Sequence, residues 1–190
     1  MRILIITHHR SGGMSLLDWI ARELSLLSFH EPFESQNPEI IKKVWESSHM
    51  ITKVFPDNLI KFGVDVEKLL STFDKVIVHR RLDKLDTAIS NAHFDEDSHI
   101  NAHETYTLDD DWAERNKDKV ERELKILVEL HKGLDKFEGI GISTTYEGVY
   151  NTGKDVERLK EYLNINEPKH LNVLDSKRRL RNGTIGMEGI

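Results

Sequence analysis

The chain has 190 residues, enough for one domain with a full hydrophobic core, and its net charge is −6. This charge argues against a general nucleic-acid-binding protein, and the lack of any apolar run near ~20 residues argues against a membrane span. Cys is absent, which excludes disulfides and thiolate chemistry. We therefore expect a cytoplasmic protein whose partners are neither nucleic acids nor membranes.

The first seventeen residues predict a strand, a Gly-containing turn and a helix. Residues 2–6 form a short apolar run of the kind found in buried strands, and apolar residues recur at helical spacing over 16–27. The backbone N–H groups of such a turn and the positive end of the helix suit a phosphate or sulfate. Arg10 adds a positive charge there. An ordinary turn is the alternative, because Gly pairs are common in turns and no Walker A pattern is present.

Strands and helices alternate along the rest of the chain. Apolar or β-branched runs predict four further strands, at 26–29, 50–55, 75–79 and 140–145. Helical spacing and capping residues predict five further helices, at 38–45, 65–73, 83–94, 112–137 and 155–163. The alternation predicts an α/β fold built from parallel βαβ units. His131 lies on the apolar face of the longest helix, and we expect it to be a packing residue with satisfied hydrogen bonds.

Ligands of parallel sheets bind beyond the carboxyl ends of the strands. The turn after residue 6 lies at such an end, and so do Glu31, Lys53 and Arg80. We expect these groups to converge at one edge of the sheet.

Two segments lack periodicity. Residues 95–111 are acidic and polar, and we predict a mobile loop there. Five side chains in or beside it carry potential metal-ligand atoms: His93, Asp95, Asp97, His99 and His103. Their spacing matches no zinc motif, so no metal site is predicted. Residues 168–190 become basic and then Gly-rich, and we predict an irregular tail.

The order of motifs resembles the sulfotransferases that use 3′-phosphoadenosine 5′-phosphosulfate (PAPS). Arg-Ser-Gly at 10–12 is similar to the family's loop for the 5′-phosphosulfate. The segment 80–90, Arg-Arg-Leu-Asp-Lys-Leu-Asp-Thr-Ala-Ile-Ser, resembles the 3′-phosphate segment in the form found in the bacterial trehalose sulfotransferase-like branch. Tyr-Glu at 146–147, followed by a helix ending near 162–165, is similar to a third family segment. The sequence at 181–186 looks like the loop that closes over PAPS.

The resemblance implies a single sulfotransferase-like domain over 1–190, folded as a P-loop-like three-layer sandwich with a mainly parallel sheet of about four to five strands. The tail would close over PAPS, and no metal is implied. The residues implied to bind PAPS are Arg10, Ser11, Gly12, Gly13, Met14, Ser15, Arg80, Arg81, Ser90, Tyr146, Arg181, Asn182 and Gly183. Arg80, Ser90 and Arg181 would hold the 3′-phosphate. Arg81 is a second candidate, because the segment is longer here than in the commonest family form.

The implied activity is transfer of a sulfuryl group from PAPS to a hydroxyl of a carbohydrate or small metabolite. Glu31 would be the general base, with His30 in reserve, and Lys53 and Arg10 would stabilise the developing negative charge. Met14 stands where the family has a Thr, and it cannot donate a hydrogen bond. Ser15 would replace the Thr if the turn shifts by one residue. The alternatives are a catalytically inactive nucleotide-binding module, which Met14 favours, and a P-loop-type small-molecule kinase.

Overall fold

The computed structural model describes residues 1–96 and 111–174. In this part of the chain, five parallel strands form one sheet in the order β2-β3-β1-β4-β5. The strands are β1 (Arg2–Ile6), β2 (Leu27–His30), β3 (Met50–Val54), β4 (Lys75–Arg80) and β5 (Ile142–Thr145). Helices pack on the sheet, so the predicted α/β three-layer sandwich with a parallel central sheet is confirmed.

The helices fall mostly where the spacing predicted them. They are α1 (Gly13–Leu24), α2 (Pro38–Glu46), α3 (Pro56–Lys61), α4 (Val66–Ser71), α5 (Lys84–Glu96), α6 (Trp112–Arg115), α7 (Lys117–Asp135) and α8 (Lys154–Leu163). A π-helical turn (Glu147–Asn151) also follows β5. The single helix predicted over 112–137 is wrong, because Asn116 separates α6 from α7. The Asn116 side chain and the Asn116 amide both donate to the Trp112 carbonyl, each at 3.0 Å.

The central strands β1, β3 and β4 are buried on both faces, as expected for parallel strands, whereas the edge strand β2 is largely exposed. Side chains of β1 alternate between the two faces. Ile3 and Ile5 pack in one cluster with apolar residues of α1 and α8. Leu4 and Ile6 pack in a second cluster that includes Leu134 of α7. The carboxyl ends of β1, β3 and β4 are thus held side by side between α1 and α7.

Side chains of α8 bind the outer edge of β5. Arg158 donates through Nη1 to the Ser143 carbonyl at 3.1 Å. Asp155, which is buried, accepts from the Thr145 amide at 2.8 Å and forms an ion pair with Arg158 at 2.7 Å.

Parts of two predicted segments lie outside the described residues. These are 97–110 of the predicted loop, and 175–190 of the predicted tail with Arg181, Asn182 and Gly183. Among the helices of residues 1–96 and 111–174, none combines the length and apolar character needed to cross a bilayer.

Candidate functional site

The turn between β1 and α1 places a left-handed glycine directly before the helix. Gly12, the N-cap residue, precedes the helix with φ of +83° and has no side chain to accept from the first N–H groups of α1. The first N–H groups of a helix have no partner within it, and they lie at its positive end. The turn therefore offers backbone donors and a favourable dipole to a phosphate or sulfate.

Hydrogen bonds inside the turn fix its shape. The hydroxyl oxygens of Thr7 and Ser11 are 2.5 Å apart, and the Gly13 amide donates to Ser11 Oγ at 3.4 Å. Ser11 is buried, and its hydroxyl is used within the loop by Thr7 and the Gly13 amide.

His79 holds the same loop from β4. Its ring is fully buried, and both nitrogens are used: Nε2 donates to the Ser11 carbonyl at 2.9 Å, and Nδ1 accepts from the Thr144 hydroxyl at 2.9 Å. A carbonyl can only accept, so the ring is the neutral Nε2–H tautomer. Burial lowers the pKa of His79 to about 4.

Two tyrosines after β5 pack against Gly12. The Tyr150 hydroxyl donates to the Gly12 carbonyl at 2.6 Å, and the rings of Tyr146 and Tyr150 have centroids 4.6 Å apart. A Cβ atom on Gly12 would lie 2.7 Å from Tyr150 Cε2 and 2.8 Å from Tyr146 Cδ2. Ser15 is buried and hydrogen-bonded to Tyr150, whereas Met14 is half-buried. The Ser15 hydroxyl is therefore already bonded to Tyr150.

We expect Gly12→Ala to destabilise the protein by about 2–4 kcal/mol, combining the left-handed backbone penalty with overpacking against the tyrosines. Gly63 is the matched control, because its φ is also positive, at +63°, but nothing lies within 4 Å of a Cβ there. Gly63→Ala should cost only about 1–2 kcal/mol. Urea denaturation measures both free energies of unfolding. Equal losses would mean that the tyrosine contacts do not constrain Gly12.

Lys53 joins the loop to Glu31. Lys53 lies in β3 beside Ile5 of β1, and only 5% of it is exposed. A Cβ atom on Gly13 would be 3.2 Å from Lys53 Cδ, so the side chain passes over the start of α1. Its Nζ is 2.5 Å from Glu31 Oε1, and the Glu31 amide donates to the Lys53 carbonyl at 3.0 Å. The predicted meeting of Lys53 and Glu31 beside the loop is present in the structure.

Glu31 is held as a carboxylate. Burial alone would raise its pKa, but a hydrogen bond with Glu34 and the charge of Lys53 lower it below the usual value. The pKa of Glu34 is raised, mainly by its hydrogen bond to Glu31. Glu31 and Arg10 also have positive φ, 45° and 55°, which is uncommon for residues other than Gly. Such backbone conformations concentrate at functional sites.

The second predicted anion segment lies against the first. Arg10 donates through Nε to Ser90 Oγ at 3.0 Å. Arg81 donates through Nη1 to the Arg10 carbonyl at 3.4 Å, stacks over Tyr146 at 4.5 Å and forms an ion pair with Asp86. The fold thus brings two guanidinium groups and the Ser90 hydroxyl together beside the turn.

Arg80 lies elsewhere. Its guanidinium forms ion pairs with Asp135 at 2.8 Å and Glu138 at 3.1 Å, at the carboxyl end of α7. Neighbouring side chains at a strand end point to opposite sides, which separates Arg80 from Arg81. Arg80 lines a different cleft, of about 480 Å³, with residues around β5.

Glu147 fixes the backbone beside Arg81. Its carboxylate accepts from the Leu82 amide at 3.1 Å and the Asp83 amide at 3.2 Å. With Tyr146 stacked on Arg81, the Tyr-Glu pair holds this turn from two sides. Sequence reasoning had assigned no role to Glu147, nor to His79, Tyr150 or Glu34. The four-residue spacing of the two tyrosines was the one available signal, since it places both rings on one side of a helical turn.

Two buried histidines lie behind the loop. His8 Nδ1 donates to the His9 carbonyl at 2.8 Å, and His8 Nε2 accepts from the Arg81 amide at 3.1 Å. Burial lowers the pKa of His8 to about 3. The His131 ring lies 4.8 Å from it. His131 is buried and packed as predicted, but its Nε2 has no hydrogen-bond partner among the described residues.

Comparison with known proteins adds no assignment. No family model matches the chain, and no curated protein matches it.

Proposed function

We propose that this protein is a sulfotransferase that moves a sulfuryl group from PAPS to a hydroxyl of a carbohydrate or small metabolite. The observation that carries the proposal is the grouping of Lys53, Arg10 and Arg81 around the turn that begins α1. Lys53 also contacts Glu31, a carboxylate of the kind that accepts a proton from an acceptor hydroxyl.

Two anion subsites support PAPS as the donor. PAPS carries negative charge on its phosphosulfate and on its 3′-phosphate, so it needs two groups of donors. The first turn of α1 with Lys53 suits the phosphosulfate. Arg81 and Ser90 suit the 3′-phosphate, because a guanidinium fork matches phosphate geometry.

The proposed chemistry needs one base and one or more cations. The acceptor oxygen forms a bond to sulfur while the bond from sulfur to the bridging phosphate oxygen breaks. The acceptor proton passes to Glu31, and Lys53 stabilises the charge on the bridging oxygen, as positioned cations do in phosphoryl transfer.

A catalytically inactive nucleotide-binding module is the second candidate. It is favoured by Met14, which is half-buried on the first turn of α1, and by Ser15, whose side chain bonds to Tyr150. In such a module the backbone N–H groups would still bind an anion. Labelled PAPS with a panel of sugars distinguishes the two, because a module would bind the nucleotide and transfer no label.

Calorimetric titration of adenosine 3′,5′-bisphosphate and ATP tests the choice of donor. A sulfotransferase is expected to bind the bisphosphate more tightly than ATP. The reverse order would favour a P-loop-type kinase and overturn the proposal.

Arg81→Gln is expected to weaken bisphosphate binding about tenfold or more, because hydrogen bonds to charged groups contribute about 1.5–3 kcal/mol. Arg80→Gln is the matched control, since the Arg80 guanidinium lies at the end of α7, with Asp135 and Glu138, whereas that of Arg81 contacts the loop. It should change the affinity by less than about threefold. Calorimetry at one salt concentration measures both, with thermal melts to check folding. A larger loss for Arg80→Gln would assign the 3′-phosphate to Arg80.

A further inference from the structure

The Lys53 side chain runs from the start of α1 to the Glu31 carboxylate. Its aliphatic part passes the first residue of α1, with Cδ 3.2 Å from where a Gly13 Cβ would be. Its ammonium ends on Glu31 Oε1 at 2.5 Å. An anion seated on the first turn of α1 would therefore lie beside the same ammonium that binds Glu31.

Three ionisable groups surround Glu31 and decide how strongly its carboxylate depends on Lys53. Lys53 faces Glu31 from β3, Glu34 faces it from the following turn, and His9 faces it from the loop after β1. Lys53 is buried, and a buried ammonium is stable only beside a negative partner. Within this group, Glu31 is the carboxylate in contact with Lys53.

We propose that Glu31 and an anion bound at the first turn of α1 compete for the ammonium of Lys53, so that binding of the anion releases the Glu31 carboxylate to accept a proton. The competition follows from the contacts alone, whereas its use in catalysis rests on the proposed function. Loss of the Lys53 contact raises the pKa of Glu31 and makes it a stronger base. The base would thus gain strength when the sulfuryl donor is in place.

The competition is reciprocal. If the anion weakens the Lys53–Glu31 contact, then removing the Glu31 charge must strengthen anion binding by the same free energy. Glu31→Gln is therefore expected to bind inorganic sulfate about tenfold more tightly than the unmodified protein at neutral pH, within the usual range of coupling between sites. A Glu31 carboxylate with no influence on the anion site would leave the affinity unchanged.

Glu46→Gln is the matched control. Glu46 pairs with Lys42 at 3.8 Å on the exposed surface of α2, away from the loop. Removing its charge should leave the sulfate affinity unchanged apart from the small loss of net negative charge. Calorimetry of both variants and of the unmodified protein gives the comparison.

NMR of the unmodified protein gives a second measurement if Glu31→Gln does not fold. The ¹³C resonance of the Glu31 carboxyl is followed during a pH titration with and without saturating sulfate. We expect sulfate to raise the pKa of Glu31 by about one unit, which corresponds to the tenfold effect.

The outcomes separate the two proposals. Unchanged or weaker sulfate binding by Glu31→Gln, an unmoved Glu31 pKa, or no sulfate binding by any of the proteins would overturn the competition. Sulfate binding with the expected increase, but with no affinity for PAPS or the bisphosphate, would support the competition and overturn the sulfotransferase.

Discussion

Replacing Lys53 with Met is expected to lower kcat/KM for sulfuryl transfer from PAPS by about a hundredfold or more. Lys53 is buried beside the start of α1, and under the proposed function its ammonium would stabilise charge on the bridging oxygen where little water competes. Met keeps the aliphatic packing over Gly13 and removes only the charge. Transfer of label from PAPS to a sugar acceptor measures the rate.

Lys42→Met provides the control for this experiment. Lys42 also pairs with a glutamate, Glu46 at 3.8 Å, but it is exposed on α2. Its removal should leave kcat/KM within about twofold, as expected for a surface ion pair. Activity of Lys53→Met close to that of the unmodified protein would mean that the ammonium takes no part in the transfer.

Acidification from pH 7 to pH 5 is expected to lower the free energy of unfolding by several kcal/mol. The folded pKa is about 4 for His79 and about 3 for His8, both below the ordinary value of 6.5. Between pH 6.5 and each folded pKa, a histidine is protonated in the unfolded chain but neutral in the folded protein. The folded state is therefore fully stabilised above about pH 6.5 and loses free energy of unfolding as the pH falls. Each histidine then contributes a loss of about 1.4 kcal/mol per pH unit, or about 2 kcal/mol at pH 5.

Urea denaturation at several pH values measures how steeply the free energy of unfolding depends on pH. Burial also lowers the pKa of His131, which acts in the same direction. The lowered carboxyl pKa values of Glu23 and Glu31 act mainly below about pH 4.5, outside the range. His79→Gln should make the slope smaller, while His49→Gln, at an exposed position, should not. An unchanged slope in His79→Gln would show that His79 is not the source.

The sequence predicted the strands well because their signal is local. The central strands β1, β3 and β4 are buried on both faces and appear as apolar runs, and each of the five observed strands lies within or beside its predicted run. The break at Asn116 was not predictable from the sequence, since no Gly or Pro interrupts residues 112–132. Helix α3 was not predicted, since it has only six residues and begins directly after β3, at Pro56.

The site was less predictable, because its contacts join distant parts of the chain. The position of the turn before α1 followed from the strand and helix patterns on either side. The different directions of Arg80 and Arg81 depend on β4 ending at Arg80, and one residue decides which guanidinium meets the loop. The roles of His79 and Glu34 come from tertiary contacts that leave no pattern in sequence.

The α8 side chains on β5 have a consequence for how copies of this protein meet. An edge strand normally presents unpaired N–H and C=O groups that can recruit a strand from another molecule. Here Arg158 occupies the Ser143 carbonyl and Asp155 the Thr145 amide, so a foreign strand would first have to displace an ion pair. One turn of α8 thus protects this end of the sheet against aggregation by strand addition.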